Sequence, residues 1–308
     1  MNLYQKFRSQ EILTQIPPGR IIAAVSGGAD SVCLLHMLKR VSREKHWRPV
    51  AVHIQHHLRG KDSLKDQAFV EALAGKWGID FEAREIHPPK EKKTEEKSRI
   101  FRYAQLGSAA LQWKAGAVLV AHNANDQAET FLLHLLRGSG PDGLAGMPAV
   151  RSLREVTGEP AHTKIRLVRP LLAFSRKDIL QYLISQGQAY RTDHSNQDLH
   201  YRRNWIRHKL IPLLEEAQPR IVERVTNLSR LLTEQKHFMD LQLETMEKSL
   251  VRWGGNPPGR ELDLTRLFQY NNHLRQYFLH RLRPQDSFQE ISELQSFLKK
   301  RQKVPLKL

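Results

Sequence analysis

Short apolar runs alternate with longer stretches of helical spacing along the first two thirds of the chain. The runs 21–25, 49–54, 79–86, 117–121 and 165–168 read as buried strands. Between them, Val32, Leu34, Leu35 and Leu38 mark a helix, and so do Phe69, Val70, Leu73 and Trp77 in 63–77. Residues 94–113 predict a further helix. Another opens near Asn123 and is ended by Gly138, with Phe131, Leu132, Leu135 and Leu136 as its apolar stripe. A last one starts at Ser175 as cap, with Ile179, Leu180 and Leu183 inward. Residues 4–16 predict a leading helix stopped by Pro17-Pro18-Gly19, and 151–164 read as a surface excursion. Pro212 closes this part. Beyond Ala217 the pattern becomes helical, with Ile221, Val225, Leu228, Leu231 and Leu232 in one stripe and a break at Trp253 to Gly259. Strand–helix alternation predicts an α/β fold: a doubly wound, mostly parallel five-stranded sheet over residues 1–215, then a smaller helical domain over 216–308.

The first strand breaks at Ser26-Gly27-Gly28-Ala29-Asp30-Ser31 and turns directly into a helix. Two glycines let backbone approach an anion, and the free N–H groups of the helix start point at it. Ser26 and Ser31 add hydroxyl donors. Asp30 is out of place in a bare anion site and is expected to face a cation, Mg²⁺ bridging phosphates. The plain alternative is an ordinary turn with Asp30 or Ser31 as N-cap. The string is neither a Walker A loop nor G-x-G-x-x-G.

The fourth strand is followed by His122-Asn123-Ala124-Asn125-Asp126-Gln127-Ala128-Glu129. Asp126 and Glu129 are one helical turn apart and share a face. Alone they would read as a solvated first turn. Beside a phosphate loop at the same sheet edge they read as functional. Arg203 and Arg207 share a helical face and suit a phosphate clamp or a solvated basic helix. The loop Arg137 to Leu144 offers a second close backbone approach. His53, His56 and His57 invite a metal reading, but no carboxylate or thiol joins them at ligand spacing.

Charge changes the picture at this point. The formal net charge is +17, split almost evenly about residue 201, so the excess is a field and not a tail. Such a field suits a large polyanion. Cys33 is the single cysteine, which excludes an internal disulfide and any Cys-x-x-Cys site. The amino terminus has no apolar signal core, and no apolar run approaches the ~20 residues of a bilayer span, so the cytoplasm is the expected compartment and no membrane partner is expected.

The Ser-Gly-Gly-Xaa-Asp-Ser string resembles the PP-loop of the ATP pyrophosphatase family. Further blocks follow in order: Ala121-His122, Asp126-Gln127, Glu129-Thr130, Leu136 to Gly140, Arg169-Pro170-Leu171-Leu172, Asp193 with Ser195-Asn196, and Arg203-Asn204 with Ile206-Arg207-His208 and Pro212. With His53, His56 and Leu58-Arg59-Gly60 they resemble the tRNA(Ile)-lysidine synthetase family over about residues 20–215. One block departs from the pattern, with Lys97-Ser98 where the family has Ala-Ala before Arg99; Arg102 and Tyr103 are kept. The later helical region is similar in outline, and the last carboxy-terminal domain of longer members is missing from the match.

The resemblance implies a ligase. ATP adenylates the wobble cytidine of a CAU-anticodon tRNA(Ile), and free L-lysine then displaces AMP to form lysidine. It implies ATP held by Ser26, Gly27, Gly28, Ala29, Asp30 and Ser31, and Mg²⁺ held by Asp30 and Asp126. Arg203, Arg207 and Arg99 would neutralise charge, and Asp126, Glu129 and His122 would receive the amine. A homodimer is left open. The rival readings are a 2-thiolating enzyme of the same fold, which needs reactive cysteines, an amide-forming synthetase, which does not need the +17 field, and a non-catalytic basic RNA-binding module.

Overall fold

The computed structural model describes residues 2–55, 61–85, 95–192, 201–254, 259–283, 285–300 and 306–307. Two compact units emerge, Met1–Leu231 and Leu232–Leu308.

The first unit is built on a six-stranded sheet: β1 (Gly19–Ala24), β2 (Trp47–Gln55), β3 (Asp80–Glu85), β4 (Ala117–Leu119), β5 (Val150–Ser152) and β6 (Arg166–Val168). Their order is β3-β2-β1-β4-β6-β5. Every pairing is parallel except β5 with β6. The chain steps outward from β1 through β2 to β3, then returns to place β4 on the other side of β1. That reversal opens a crevice beyond the carboxyl ends of β1 and β4.

The helices are α1 (Leu3–Arg8), α2 (Ala29–Val41), α3 (Lys61–Trp77), α4 (Glu95–Gln112), α5 (Ala124–Leu135), α6 (Pro141–Leu144), α7 (Arg154–Thr157) and α8 (Arg176–Ser185). They cover both faces. Alternate residues of β1 go to opposite layers. Ile21 and Ala23 join the core with Val32, Leu35, Val70 and Ile179, while Ile22 joins Tyr103, Leu106 and Leu153. Ser175 caps α8 in a capping box with Asp178, as its spacing predicts.

The differences from the sequence reading have local causes. The leading segment is two short pieces, α1 and a 3₁₀ turn at Glu11–Gln15, because Ser9 and Gln10 interrupt the helix. Five strands were expected, and β5 is the sixth. It is a three-residue edge strand with no periodicity of its own, held by pairing to β6. Residues 151–164 are not an excursion: Leu153 is fully buried and His162 nearly so. Pro212 does not close the basic segment. The chain runs through α9 (Arg202–Trp205), a π-helical turn at Ile206–Leu210 and α10 (Ile211–Ala217). Pro212 sits in the first turn of α10, where its missing N–H costs least, and the wider turn before it relieves the clash a proline makes one turn back. α11 (Ile221–Leu250) follows. Its start belongs to the first unit: Thr226 Oγ1 donates to Ala124 O at 3.4 Å and Ser229 Oγ to Leu144 O at 3.1 Å. The first unit therefore extends past residue 215.

The second unit is not purely helical. α12 (Leu264–Leu267), α13 (Asn272–Leu282) and α14 (Phe288–Lys299) accompany a small antiparallel sheet of β7 (Val251–Gly254), β8 (Gly259–Leu262) and β9 (Leu306–Lys307). The glycine-rich break expected at 253–259 falls at the hairpin between β7 and β8. Leu250, Leu262, Leu267, Phe278 and Ile291 form its core.

The packing of 151–164 can be tested. A Cβ on Gly107 of α4 would run into the His162 ring, which is hydrogen-bonded to Thr157 Oγ1 at 3.0 Å. Gly107→Ala is expected to destabilise the first unit by about 1–3 kcal/mol in urea unfolding, where a free surface loop would give no change.

Candidate active site

The Ser26–Ser31 turn lies at the carboxyl end of β1. Gly27 takes a φ of +89°, a left-handed conformation that glycine adopts without strain. The turn is tied internally. Ser26 N–H donates to Ser31 Oγ at 3.2 Å, and Ser31 Oγ donates to Gly28 O at 2.9 Å. The N-cap of α2 is Gly28, with no side-chain cap, so neither Asp30 nor Ser31 fills that role. The first N–H groups of α2 are thereby left for an anion.

One support was missed from sequence. Arg191 N–H donates to Gly27 O at 2.9 Å, and its guanidinium donates to Asp66 at 3.0 Å. Nothing in the spacing of residue 191 from the turn announces this.

A cavity of about 260 Å³ opens beside the turn. Ser26, Gly28, Asp30 and Ser31 form one wall and His122 another. Val52, Ile54, Tyr103, Leu106 and Val120 give it an apolar side, and Arg102 of α4 lies at its edge. A polar wall facing an apolar one suits a ligand with a phosphate end and a ring end. The loop Arg137 to Leu144 does not line this cavity, so the expected second backbone approach is not made there. It folds instead into α6, with His134 Nδ1 at 2.6 Å from Gly143 O.

Asp30 is paired with Arg176, the first residue of α8. Its Oδ1 is buried and has no hydrogen-bond partner. Burial raises the Asp30 carboxyl above the usual range, Arg176 pulls it back, and Asp126 raises it again. A carboxylate with one unpartnered oxygen, beside a second carboxylate, fits a divalent cation. Among the described residues, no group of three or more His, Cys, Asp or Glu makes a complete protein cage. Any cation there would keep oxygen partners from substrate or water.

Asp126 and Glu129 stand together on α5, as their spacing predicts. Asn123 caps the helix in a box with Asp126, whose Oδ2 accepts from Asn123 N–H at 3.0 Å. Glu129 is only 1% exposed. It accepts from Arg203 Nε at 2.8 Å, Arg207 Nε at 2.5 Å and Arg207 Nη2 at 3.1 Å. Arg207 Nη2 also donates to Asp126 Oδ1 at 3.0 Å. Burial disfavours the charge on both arginines, and the carboxylates more than restore it, so both guanidinium pKa values are raised.

These contacts bear on two expectations. The arginines meant for phosphate and the carboxylates meant for the amine bind each other. Glu129 in particular is saturated and cannot receive an incoming ammonium without breaking the cluster. His122 lies at the mouth as expected, but burial pushes its pKa down to about 3, against Asp126 and with Arg169, Arg203 and Arg102 acting on it. The neutral imidazole is the form this environment favours. Arg99 is exposed on α4 and does not line the cavity.

His53 is a structural group: it is 4% exposed, with Nδ1 at 2.8 Å from Val25 O. His56, His57 and Asp193 to Asn196 lie outside the described residues. Cys33 is fully buried, and desolvation pushes its thiol up to about 12, which leaves no reactive thiolate.

Residues 1–214 match the model of the PP-loop domain. The chain is 36% identical over 252 residues to the tRNA(Ile)-lysidine synthase of Thermosynechococcus vestitus, covering 82% of this chain and 69% of that one. The chain belongs to the tRNA(Ile)-lysidine synthase family. It is also 40% identical over 208 residues to the enzyme of that name from Porphyromonas gingivalis and 36% over 233 residues to that from Geobacter sulfurreducens. It spans only 42% and 47% of their lengths. A U34-tRNA thiolase, NcsA from Methanococcus maripaludis, shares the fold with a TM-score of 0.58 at 15% identity, over 75% of this chain and 76% of that one. That likeness is of fold alone, and the buried Cys33 of this family member offers no thiolate for thiolation.

Two substitutions test the site. Because Asp30 has a raised carboxyl pKa, the folded state binds its proton more tightly than the unfolded state. Its ionisation therefore costs stability as pH rises through that range and at all higher pH. Asp30→Asn is expected to raise the Tm at pH 7 while abolishing ATP-dependent turnover; a lowered Tm would show that the Arg176 pair outweighs burial. Glu129→Gln should loosen both arginines and cost about 1–3 kcal/mol, less than for a fully buried pair because the arginine side chains are 30% and 36% exposed. It should impair adenylation, whereas an effect confined to the lysine requirement would return Glu129 to the amine.

Proposed function

We propose that this protein uses ATP to adenylate the wobble cytidine of a CAU-anticodon tRNA(Ile) and then joins L-lysine to it, forming lysidine. The observation that carries the reading is the cavity lined by the glycine turn, Asp30 with its unpartnered oxygen, and apolar side chains. Family membership supplies the reaction, and the +17 charge suits the RNA substrate.

In this reading the apolar wall of Val52, Ile54 and Leu106 takes the adenine ring. The N–H groups at the start of α2, with the Ser26 and Ser31 hydroxyls, hold the phosphates. Asp30 and Asp126 are the carboxylates that would hold Mg²⁺, which would neutralise phosphate charge when bound. Attack by the cytidine carbonyl oxygen on the α-phosphate builds negative charge beside Arg203 and Arg207, which Glu129 holds in fixed orientation. Pyrophosphate leaves, and the lysine amine then displaces AMP. Asp126, in the first turn of α5, is the carboxylate assigned to the amine. No protein nucleophile is needed. The second unit is proposed to add RNA contact.

The test is incubation of the purified chain with ATP, labelled lysine and bulk bacterial tRNA. Label is expected in tRNA(Ile) alone, with one pyrophosphate and one AMP released per lysine. RNA affinity should fall steeply with salt. ATP turnover without label in RNA would overturn the lysidine reading and favour an amide-forming activity on a small carboxylate.

A further inference from the structure

The segment that carries the arginine clamp has two sharply different faces. Arg203, Ile206 and Arg207 turn inward: Ile206 is fully buried and both arginines grip Glu129. Tyr201, Arg202, Trp205, His208 and Lys209 are exposed. Three- and four-residue spacings link them, so they form one stripe along the helical path. Tyr201 is 59% exposed and Trp205 44%. Large aromatics on a surface helix normally turn into the core; here the core position is filled by Ile206 and the rings face solvent. Apart from its backbone N–H, which donates to Tyr201 O at 3.0 Å, Trp205 makes no hydrogen bond through its indole, and no ring or cation–π contact among the described residues engages it.

Two aromatic rings flanked by Arg, Lys and His on one stripe fit single-stranded RNA better than protein or lipid. Bases stack on the rings whatever their identity, and the cations meet the phosphates between them. The same segment delivers Arg203 and Arg207 to the site, so a strand lying on the outer face is brought alongside the chemistry. Resting on the function proposed above, we infer that Tyr201 and Trp205 form a stacking platform for loop bases next to the modified nucleotide, with Arg202 and Lys209 on the adjoining phosphates. The platform orients a nucleotide that must leave its own stack to reach the cavity. Trp205 is a positioning residue and touches no reacting atom.

The experiment uses the full chain and a fluorescein-labelled stem-loop RNA carrying a CAU loop, titrated by anisotropy across a salt series. ATP affinity and the thermal melt serve as controls for folding. Trp205→Ala is expected to weaken RNA binding about tenfold or more, with the slope against salt unchanged, since stacking releases no counterions. Trp205→Phe should recover most of the affinity. Lys209→Gln should instead lower the salt slope by about one. Trp205→Ala binding the RNA as tightly as wild type, or Trp205→Phe binding no better than Trp205→Ala, overturns the platform. If wild type binds ATP but not the RNA, the proposed function itself fails, and this inference with it.

Discussion

The site depends on one constraint of topology: β1 and β4 lie side by side, yet β1 leads outward to β2 and β4 to the other half of the sheet. The starts of α2 and α5 therefore face one crevice, and each presents its first turn to it. The three carboxylates of the site are placed by where these two helices begin. Asp30 sits in the first turn of α2, Asp126 in that of α5, and Glu129 one turn further in. Asn125 ties the start of α8 to this frame, because its Oδ1 accepts from Arg176 N–H at 2.9 Å. The residue so placed is the one that pairs with Asp30.

Electrostatics then sets the division of labour between three carboxylates. Glu129 is buried, and its charge is sustained only by two guanidiniums. Asp126 spends one oxygen on its own helix cap and the other on Arg207. Asp30 keeps an oxygen with no partner. The carboxylate with unspent capacity faces the glycine turn, and the saturated one lies behind it. A buried pair of this kind adds little net stability compared with an apolar contact, because desolvation opposes it. Its value here is orientation: the arginines are held from behind.

Much of this was legible from residue patterns because it rests on local rules. A strand, two glycines and a helix start are adjacent in sequence, and so are Asp126 and Glu129. The helix stripes of 29–41 and 175–185 obeyed spacing, and the second also obeyed capping chemistry. What spacing could not show was pairing between distant segments. Glu129 and Arg203 are joined across the fold, and either alone reads as a solvated charge. Arg176 against Asp30 and Arg191 against Gly27 are of the same kind. β5 was hidden because three residues cannot display a period. The small sheet of the second unit was hidden because its strands are short.

The clamp also limits how phosphate can be met. If Arg203 or Arg207 swung fully onto a phosphate, Glu129 would be left charged and buried without a partner, which costs several kcal/mol. The arginines therefore stay. A guanidinium carries five donors, and Glu129 and Asp126 take only those on Nε and Nη2. Among the described residues nothing bonds to Nη1 of either arginine, and each side chain keeps about a third of its surface open. Charge developing on a phosphate would thus meet donor edges already oriented and already desolvated on their far side. Such donors need no reorganisation when charge appears, which is where preorganised groups surpass solvent. In the proposed reaction Glu129 would act through that fixed orientation, from behind the arginines that it holds.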